Sequence, residues 1–221
     1  MICLAKANTS LPKEYISLAQ DRSVKTRRMV SRALADLFFS NPKRFYVLEE
    51  ELWKTCVPLS RWTVADAWGF IGKKDPEKAF RRLREIAEAD DNWEVIEGVG
   101  TSLVVIGRKY PELLLNKMEK WSSSSLEAVR RTSIEALRGI AKDKPKLVIP
   151  LLEKLKDDRS LYVRKAVAHI LREMCKKDPD LVVELCRRWM NTSKEANYVI
   201  RHGLKKLMGT READELLRGL K

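Results

Sequence analysis

Apolar residues recur along this chain in a four, four, three rhythm. Val95, Val99, Leu103 and Ile106 form one such stripe, and Val163, Val167, Leu171 and Met174 form another. Val129, Ser133, Leu137 and Ile140 repeat the spacing between them. That interval returns each member to one face of an α-helix, so each stretch predicts an amphipathic helix with a buried stripe. Every stripe stops five residues ahead of a proline. The prolines are themselves periodic: Pro42, Pro76, Pro111, Pro145 and Pro179 stand 34 or 35 residues apart. Ten residues past each comes a large apolar side chain, Leu52, Ile86, Trp121, Leu155 or Trp189. Proline is tolerated in the first turn of a helix, so each one marks the start of a second kind of helix. Polar breaks such as residues 122–125, Asp157-Asp158-Arg159-Ser160 and Asn191-Thr192-Ser193 supply the loops and N-caps between them.

Each period therefore predicts a pair: an A helix that begins at the proline and a B helix that runs to the next one. No stretch alternates like a strand between turn signals. The expected fold is all-α, a superhelical solenoid of stacked helix pairs. The B helices open with an apolar residue followed by basic ones, as in Val129-Arg130-Arg131, Val163-Arg164-Lys165 and Val199-Ile200-Arg201-His202. That text is HEAT-like, although the period matches the tetratricopeptide length better. The whole chain, residues 1–221, reads as one repeat domain. Residues 1–24 form an irregular cap, the repeats run from 25 to 209, and 210–221 make a short last helix with acidic residues early and basic ones late.

A residue two places from a core position is turned about 200° around the helix and points away from the core. Fourteen residues before the prolines lie Arg28, Trp62, Glu97, Arg131 and Lys165. One turn later come Asp66, Thr101, Glu135 and His169, and one turn before Glu97 comes Trp93. Stacking aligns such positions into one continuous surface. Trp62 and Trp93 are expected on it, whereas Trp121 and Trp189 sit at the apolar repeat position and, with Trp53 and Trp68, are expected inside. The plainer account of Trp93 is a ring packed on a neighbouring loop, and of Glu97 a solvated carboxylate. Arg27, Arg61, Arg130 and Arg164, one place earlier, predict a basic row at helix N-termini, where guanidinium and free N–H groups together suit phosphate.

Charge supports the same direction. With 44 Lys and Arg against 31 Asp and Glu, the net charge is +13, which suits a polyanionic partner or, more plainly, a solubilising surface. Cys3, Cys56, Cys175 and Cys186 have no Cys-x-x-Cys spacing, and His169 and His202 are the only histidines, so no zinc site is expected. Free thiols fit a reducing compartment. The apolar start Ile2-Cys3-Leu4-Ala5 is too short for a secretion signal, and no run is long enough to span a membrane. A cytoplasmic monomer with no cofactor, metal or membrane partner is expected. No Walker loop, dinucleotide fingerprint or helix-hairpin-helix signature is present.

Trp93-Glu94-Val95-Ile96-Glu97 resembles the Trp-Asp-x-x-Asp segment of the AlkD-type DNA alkylation-repair glycosylases, a family built from HEAT-like repeats. Lys109-Tyr110-Pro111-Glu112-Leu113 and Lys120-Trp121 resemble the text that follows it, and Arg131 falls where the family has its active-site arginine. Lys165-Ala166-Val167, Leu171-Arg172-Glu173 and Asp178-Pro179-Asp180-Leu181-Val182 resemble its next repeat. The likeness runs from about residue 62 and is strongest over 92–180. It implies excision of cationic N3- and N7-alkylated purines from double-stranded DNA, without drawing the lesion into a protein pocket. It implies that Trp93 packs on the deoxyribose, that Glu97 stabilises the oxocarbenium character of the sugar, and that Arg131 holds a phosphate. Arg27, Arg28, Arg61, Trp62, Arg130, Arg164, Lys165 and Arg201 would line the DNA surface. Two positions depart from the pattern: Glu97 replaces an aspartate, and His169 replaces a second tryptophan. Gly98 and Gly100, directly after Glu97, weaken the helix by up to about 1 kcal/mol each. The competing class is a non-catalytic scaffold that binds DNA or protein, which the fold by itself does not exclude.

Overall fold

Helix boundaries follow the punctuation of the sequence. The computed structural model describes residues 13–221, so Cys3 and most of the expected cap lie outside the described residues. The order is α1 (Lys13–Ala19), α2 (Val24–Ser40), α3 (Pro42–Lys54), α4 (Pro58–Ile71), α5 (Pro76–Ala89), α6 (Trp93–Lys109), α7 (Pro111–Trp121), α8 (Glu127–Glu135) and α9 (Arg138–Asp143). A 3-10 turn, Pro145–Val148, then leads into α10 (Ile149–Leu155), α11 (Leu161–Met174), α12 (Pro179–Trp189), α13 (Lys194–Gly203) and α14 (Arg211–Arg218). No strand occurs among the described residues. The region expected to be an irregular cap carries about two regular helical turns, α1, whose Tyr15 and Ala19 are buried.

The A helices start as anticipated. Asn41, Asp75 and Asp178 stand just before Pro42, Pro76 and Pro179, and each side chain accepts a backbone N–H three residues on. Cap and proline thus remove two of the four unpaired donors of a helix start. Two elements depart from the expected continuous helices. Pro150 has no N–H to offer the carbonyl four residues back, so the fourth A helix begins as a 3-10 turn and restarts at Ile149. The B helix after α7 breaks at Ala136 and Leu137. There Thr132 and Ser133 turn their hydroxyls onto the carbonyls of Ala128 and Arg130, and the Leu137 N–H takes the tighter bond to Ile134.

Successive B helices (α2, α4, α6, α8 with α9, α11, α13) pack on one another, whereas each of the A helices α3, α5 and α7 packs between the B helix before it and the one after it. The B row is therefore the short inner side of the stack. Its stripes Val95, Val99, Leu103, Ile106 and Val163, Val167, Leu171, Met174 are fully buried, as are Val129, Leu137 and Ile140 with the Ser133 hydroxyl among them. Trp68, Trp121 and Trp189 are in the core, with the Trp68 indole N–H donating to Glu49 at 2.9 Å. Trp53 is partly buried between the guanidinium groups of Arg61 and Arg82.

Gly98 serves the packing of α6 on α4. A Cβ there would stand 2.8 Å from Cδ1 of Trp62. Glycine therefore costs helix propensity but permits the approach. Farther along, Glu173 of α11 receives Lys176, Lys142 and Lys206 at 3.0, 3.3 and 3.3 Å, tying α9, α11 and the segment after α13 together. Burial alone would raise this carboxyl, but the three ammonium groups outweigh it and hold it at about 2.

Two outcomes follow. Gly98→Ala gains up to about 1 kcal/mol of helix propensity but overpacks Trp62, and a net loss of about 1–2 kcal/mol is expected in urea denaturation. A net gain would show that the α4–α6 contact is loose. For Glu173, a depressed folded pKa gives stability that is present above the unfolded value and lost as the pH falls. The Tm difference between wild type and Glu173→Gln should be full at neutral pH, shrink from pH 4.5 downward and vanish near pH 2.

Candidate nucleic-acid interface

The inner row brings together some of the expected site residues and removes others. Asn92 caps α6: its side chain accepts the Glu94 N–H at 2.9 Å, and its own N–H bonds Asp90. This fixes the first turn, and Trp93 stands out from it 61% exposed. Glu97, one turn on, is exposed and makes no hydrogen bond or ion pair with the described residues. Arg131 holds the equivalent place on α8, with Gly100 of α6 against Glu135, one turn beyond Arg131. Glu97 and Arg131 thus occupy matching positions on adjacent, stacked helices.

Arg131 has no ion pair within the described residues; its guanidinium lies 5.8 Å from the ring of Tyr162. The same ring meets Lys165 Nζ at 5.2 Å and is 53% exposed. Tyr162 is a residue that sequence reasoning missed. The available signal was an aromatic side chain three residues ahead of Lys165, hence on the same helical face. His169 faces Glu135, Nδ1 to Oε2 at 3.7 Å. Burial raises the Glu135 carboxyl, but His169, Arg138 and Arg131 outweigh it and hold it below the usual range.

Trp62 corrects the expected register. It is only 6% exposed, with Arg27 4.5 Å above its ring and Gly98 of α6 against its edge. α4 is apolar on nearly every side, so the face turned from one neighbour is covered by the next. The basic row is corrected as well. Arg27 donates to the carbonyls of Asp21 and Arg22, Arg130 to those of Ser124 and Ser125, and Arg164 to those of Asp158 and Arg159. In each case the acceptors lie six and five residues back. Arg130 also forks onto Asp158 at 2.7 and 3.0 Å, and Arg61 reaches Asp90 at 2.8 Å. These groups close loop carbonyls that would otherwise be unpaired, which commits the terminal nitrogens that make those bonds, while Arg27 Nε and Arg164 Nε are buried with no partner among the described residues. Arg27 and Arg130 are buried. Arg28, Lys165 and Arg201 remain at the surface; Arg28 is half exposed, its Nε 3.9 Å from the buried Asp66 carboxylate, which burial pushes up.

The inner face of α6, α8 and α11 thus offers an exposed indole, an unpaired carboxylate, a free guanidinium and a tyrosine between two cations. Aromatic faces with adjacent cations suit sugars, bases and phosphates. An isolated carboxylate suits developing positive charge. No group of three or more possible metal ligands occurs among the described residues, and no helix there is long and apolar enough to cross a membrane.

A family model described as DNA alkylation repair enzyme matches residues 21–207. Among solved structures, smu.31 from Streptococcus mutans UA159 is similar at 29% identity and a TM-score of 0.68, over 87% of this chain and 98% of that one. AlkD2 from Streptococcus mutans is similar at 27% identity and a TM-score of 0.70, over 87% and 97%. The alkylpurine DNA glycosylase AlkC of Pseudomonas fluorescens, bound to DNA containing an abasic site analog, shares the fold at 21% identity and a TM-score of 0.74, over 95% of this chain and 61% of that one. No curated protein matches the chain.

Neighbouring arginines should behave differently. Arg130→Ala strands the buried Asp158 and should cost about 3–5 kcal/mol in urea denaturation. Arg131→Ala, with no such partner, should stay within about 0.5 kcal/mol of wild type. Equal losses would contradict the division drawn between them.

Proposed function

We propose, from the premise that the chain belongs to the DNA alkylation repair enzyme family, that it grips duplex DNA on the inner row and hydrolyses the N-glycosidic bond of cationic N3- and N7-alkylated purines. The observation that carries this reading is the pairing of the 61%-exposed Trp93 with an unpaired Glu97 in one turn of α6. Neither side chain is tied to the rest of the fold by a hydrogen bond or ion pair among the described residues.

The chemistry needs little else. An alkylated purine already carries positive charge, so it leaves without a proton from an acid. The barrier is charge that builds on the sugar as the bond to nitrogen lengthens. Glu97 offers a full negative charge there and can orient the attacking water. Trp93 packs against the deoxyribose and excludes solvent. Arg131 holds a phosphate beside it, and Tyr162 with Lys165 extends the contact along the strand. His169, turned toward Glu135, replaces the second tryptophan of the family pattern and covers less of the nucleotide. Arg28 and Arg201 add phosphate contacts. The protein acts as a monomer in the cytoplasm.

Release of 7-methylguanine or 3-methyladenine from alkylated duplex DNA tests the reading. Glu97→Gln should slow release about 10²–10³-fold while duplex affinity changes little. Arg131→Ala should lower the slope of log K against log salt by about 1. No release by the wild type at high enzyme would leave a DNA-binding scaffold. Binding indifferent to salt between about 50 and 200 mM would remove DNA as the partner.

A further inference from the structure

The two ends of the B helices differ in the sign of their charge. The loops that lead into these helices are residues 20–23, 55–57, 90–92, 122–126, 156–160 and 190–193. They hold five aspartates against three cations, Arg22, Lys156 and Arg159. Lys156 is paired with Asp157, and Arg159 donates to the Ser125 carbonyl. The opposite ends read differently. Residues 41–44, 72–75, 107–110, 142–146, 175–178 and 204–206 each carry two or three lysines or arginines. The acids among them are Asp75, Asp143 and Asp178, and the first and last of these cap α5 and α12.

Part of this basic edge is structural. Lys142, Lys176 and Lys206 converge on Glu173, and Lys109 donates to the Lys73 carbonyl. Lys43, Arg108, Lys144, Lys146, Lys177 and Lys205 are different: all are exposed, without an ion pair or side-chain hydrogen bond among the described residues. A cation in the last turn of a helix complements the helix dipole, which accounts for Arg108. It does not account for Lys43, in the first turn of α3, where the dipole disfavours a cation. Nor does it account for Lys146 and Lys177, which lie outside the α-helices. Lys144, Lys146 and Lys177 line one open cleft of about 520 Å³ with Pro145, Leu147 and Asp178. The Asp178 carboxylate in that lining accepts the Leu181 N–H.

We propose that this edge binds the phosphate backbone of the duplex on one side of the lesion, so that the protein grips DNA unequally about the damaged nucleotide. The proposal rests on the DNA-binding part of the reading above. Helices packed side by side enclose a hollow that runs along their axes, and a rod-like polyanion seated there leaves past both ends of the B helices. At the end near Trp93 and Glu97 it meets aspartates and serines. At the other end it meets cations repeated from helix to helix, at the roughly 8–10 Å spacing of packed helices. A row of that kind suits a chain of phosphates better than a single anion. Glu97 to Arg108 spans roughly 16 Å along α6, and Trp93 to Lys109 about 24 Å. At about 3.4 Å per base pair, the basic edge therefore reaches phosphates about 5–7 pairs from the lesion.

Footprinting and salt dependence test this without relying on base release. The probe is a duplex with one central 7-methylguanine on a 2′-fluorinated sugar, which resists hydrolysis. Hydroxyl-radical protection by the wild type should reach about 5–7 base pairs from the lesion on one side and stop within about 2 on the other. Lys144→Ala combined with Lys146→Ala and Lys177→Ala should erase the far protection and lower the slope of log K against log salt by up to about 3. Arg81→Ala combined with Lys120→Ala and Arg187→Ala removes the same charge from exposed positions on A helices and should change neither. The two slopes decide the matter if protection does not centre on the lesion. Equal protection on both sides, or equal slopes in the two triple variants, overturns the proposal and leaves duplex binding in place. No duplex binding by the wild type overturns both. Phosphatidylglycerol vesicles that compete as strongly as duplex would assign the edge to a membrane surface and overturn the proposal too.

Discussion

A guanidinium turned back on the two carbonyls five and six residues before it holds the edge of this solenoid. Arg27, Arg130 and Arg164 all make the contact, at 2.6–3.1 Å. The loops before α2, α8 and α11 would otherwise present carbonyls with nothing to donate to them, and arginine is the side chain that can serve two at once and still reach a neighbour. At Asp158 the same guanidinium, that of Arg130, also ties two repeats, and Arg61, which bonds the Trp53 carbonyl instead, makes the equivalent tie to Asp90. The contact fixes the entry of α2, α8 and α11, and the crossings to Asp90 and Asp158 join neighbouring repeats.

It also changes how the net charge is read. A basic row at helix N-termini is a reasonable phosphate site on paper, because it combines cations with free N–H groups. In the folded chain those cations are spent on backbone. The useful positive charge is the neighbouring register, one residue and about 100° further round the helix. Arg130 is buried and doubly paired with Asp158; Arg131 is free of ion pairs and lies against an exposed tyrosine. Two adjacent arginines of the same helix divide cleanly into structure and surface.

The period, the helix pairs and the buried stripes were legible because each rests on local rules: proline at a helix start, a four, four, three apolar rhythm, polar caps. The exposed Trp93 was legible from its polar register. Trp62 was not, since its exposure depends on a neighbour's lack of a side chain. Gly98 reads as a helix weakness in sequence and proves to be the space into which Trp62 fits. The break after Glu135 and the restart at Ile149 were equally hidden, because a regular apolar rhythm continues across both. Tyr162 escaped because its character comes from Arg131, 31 residues away in the chain, as much as from its own repeat.

The groove carboxylates differ in what they have left to give. Asp66 is buried, and its charge is opposed by that burial, with Arg28 alongside. Glu135 is held ionised by His169 and two arginines, so its charge is already neutralised locally. Glu97 has neither burial nor a hydrogen-bonded partner, and its field extends as far as the buried Arg27. A carboxylate in water is well solvated and would attract a sugar cation only weakly; the same group acts strongly once a bound duplex excludes that water. Binding is therefore what would convert Glu97 from an ordinary surface acid into a centre able to lower a barrier, and Trp93, standing one turn away, is the surface that does the excluding.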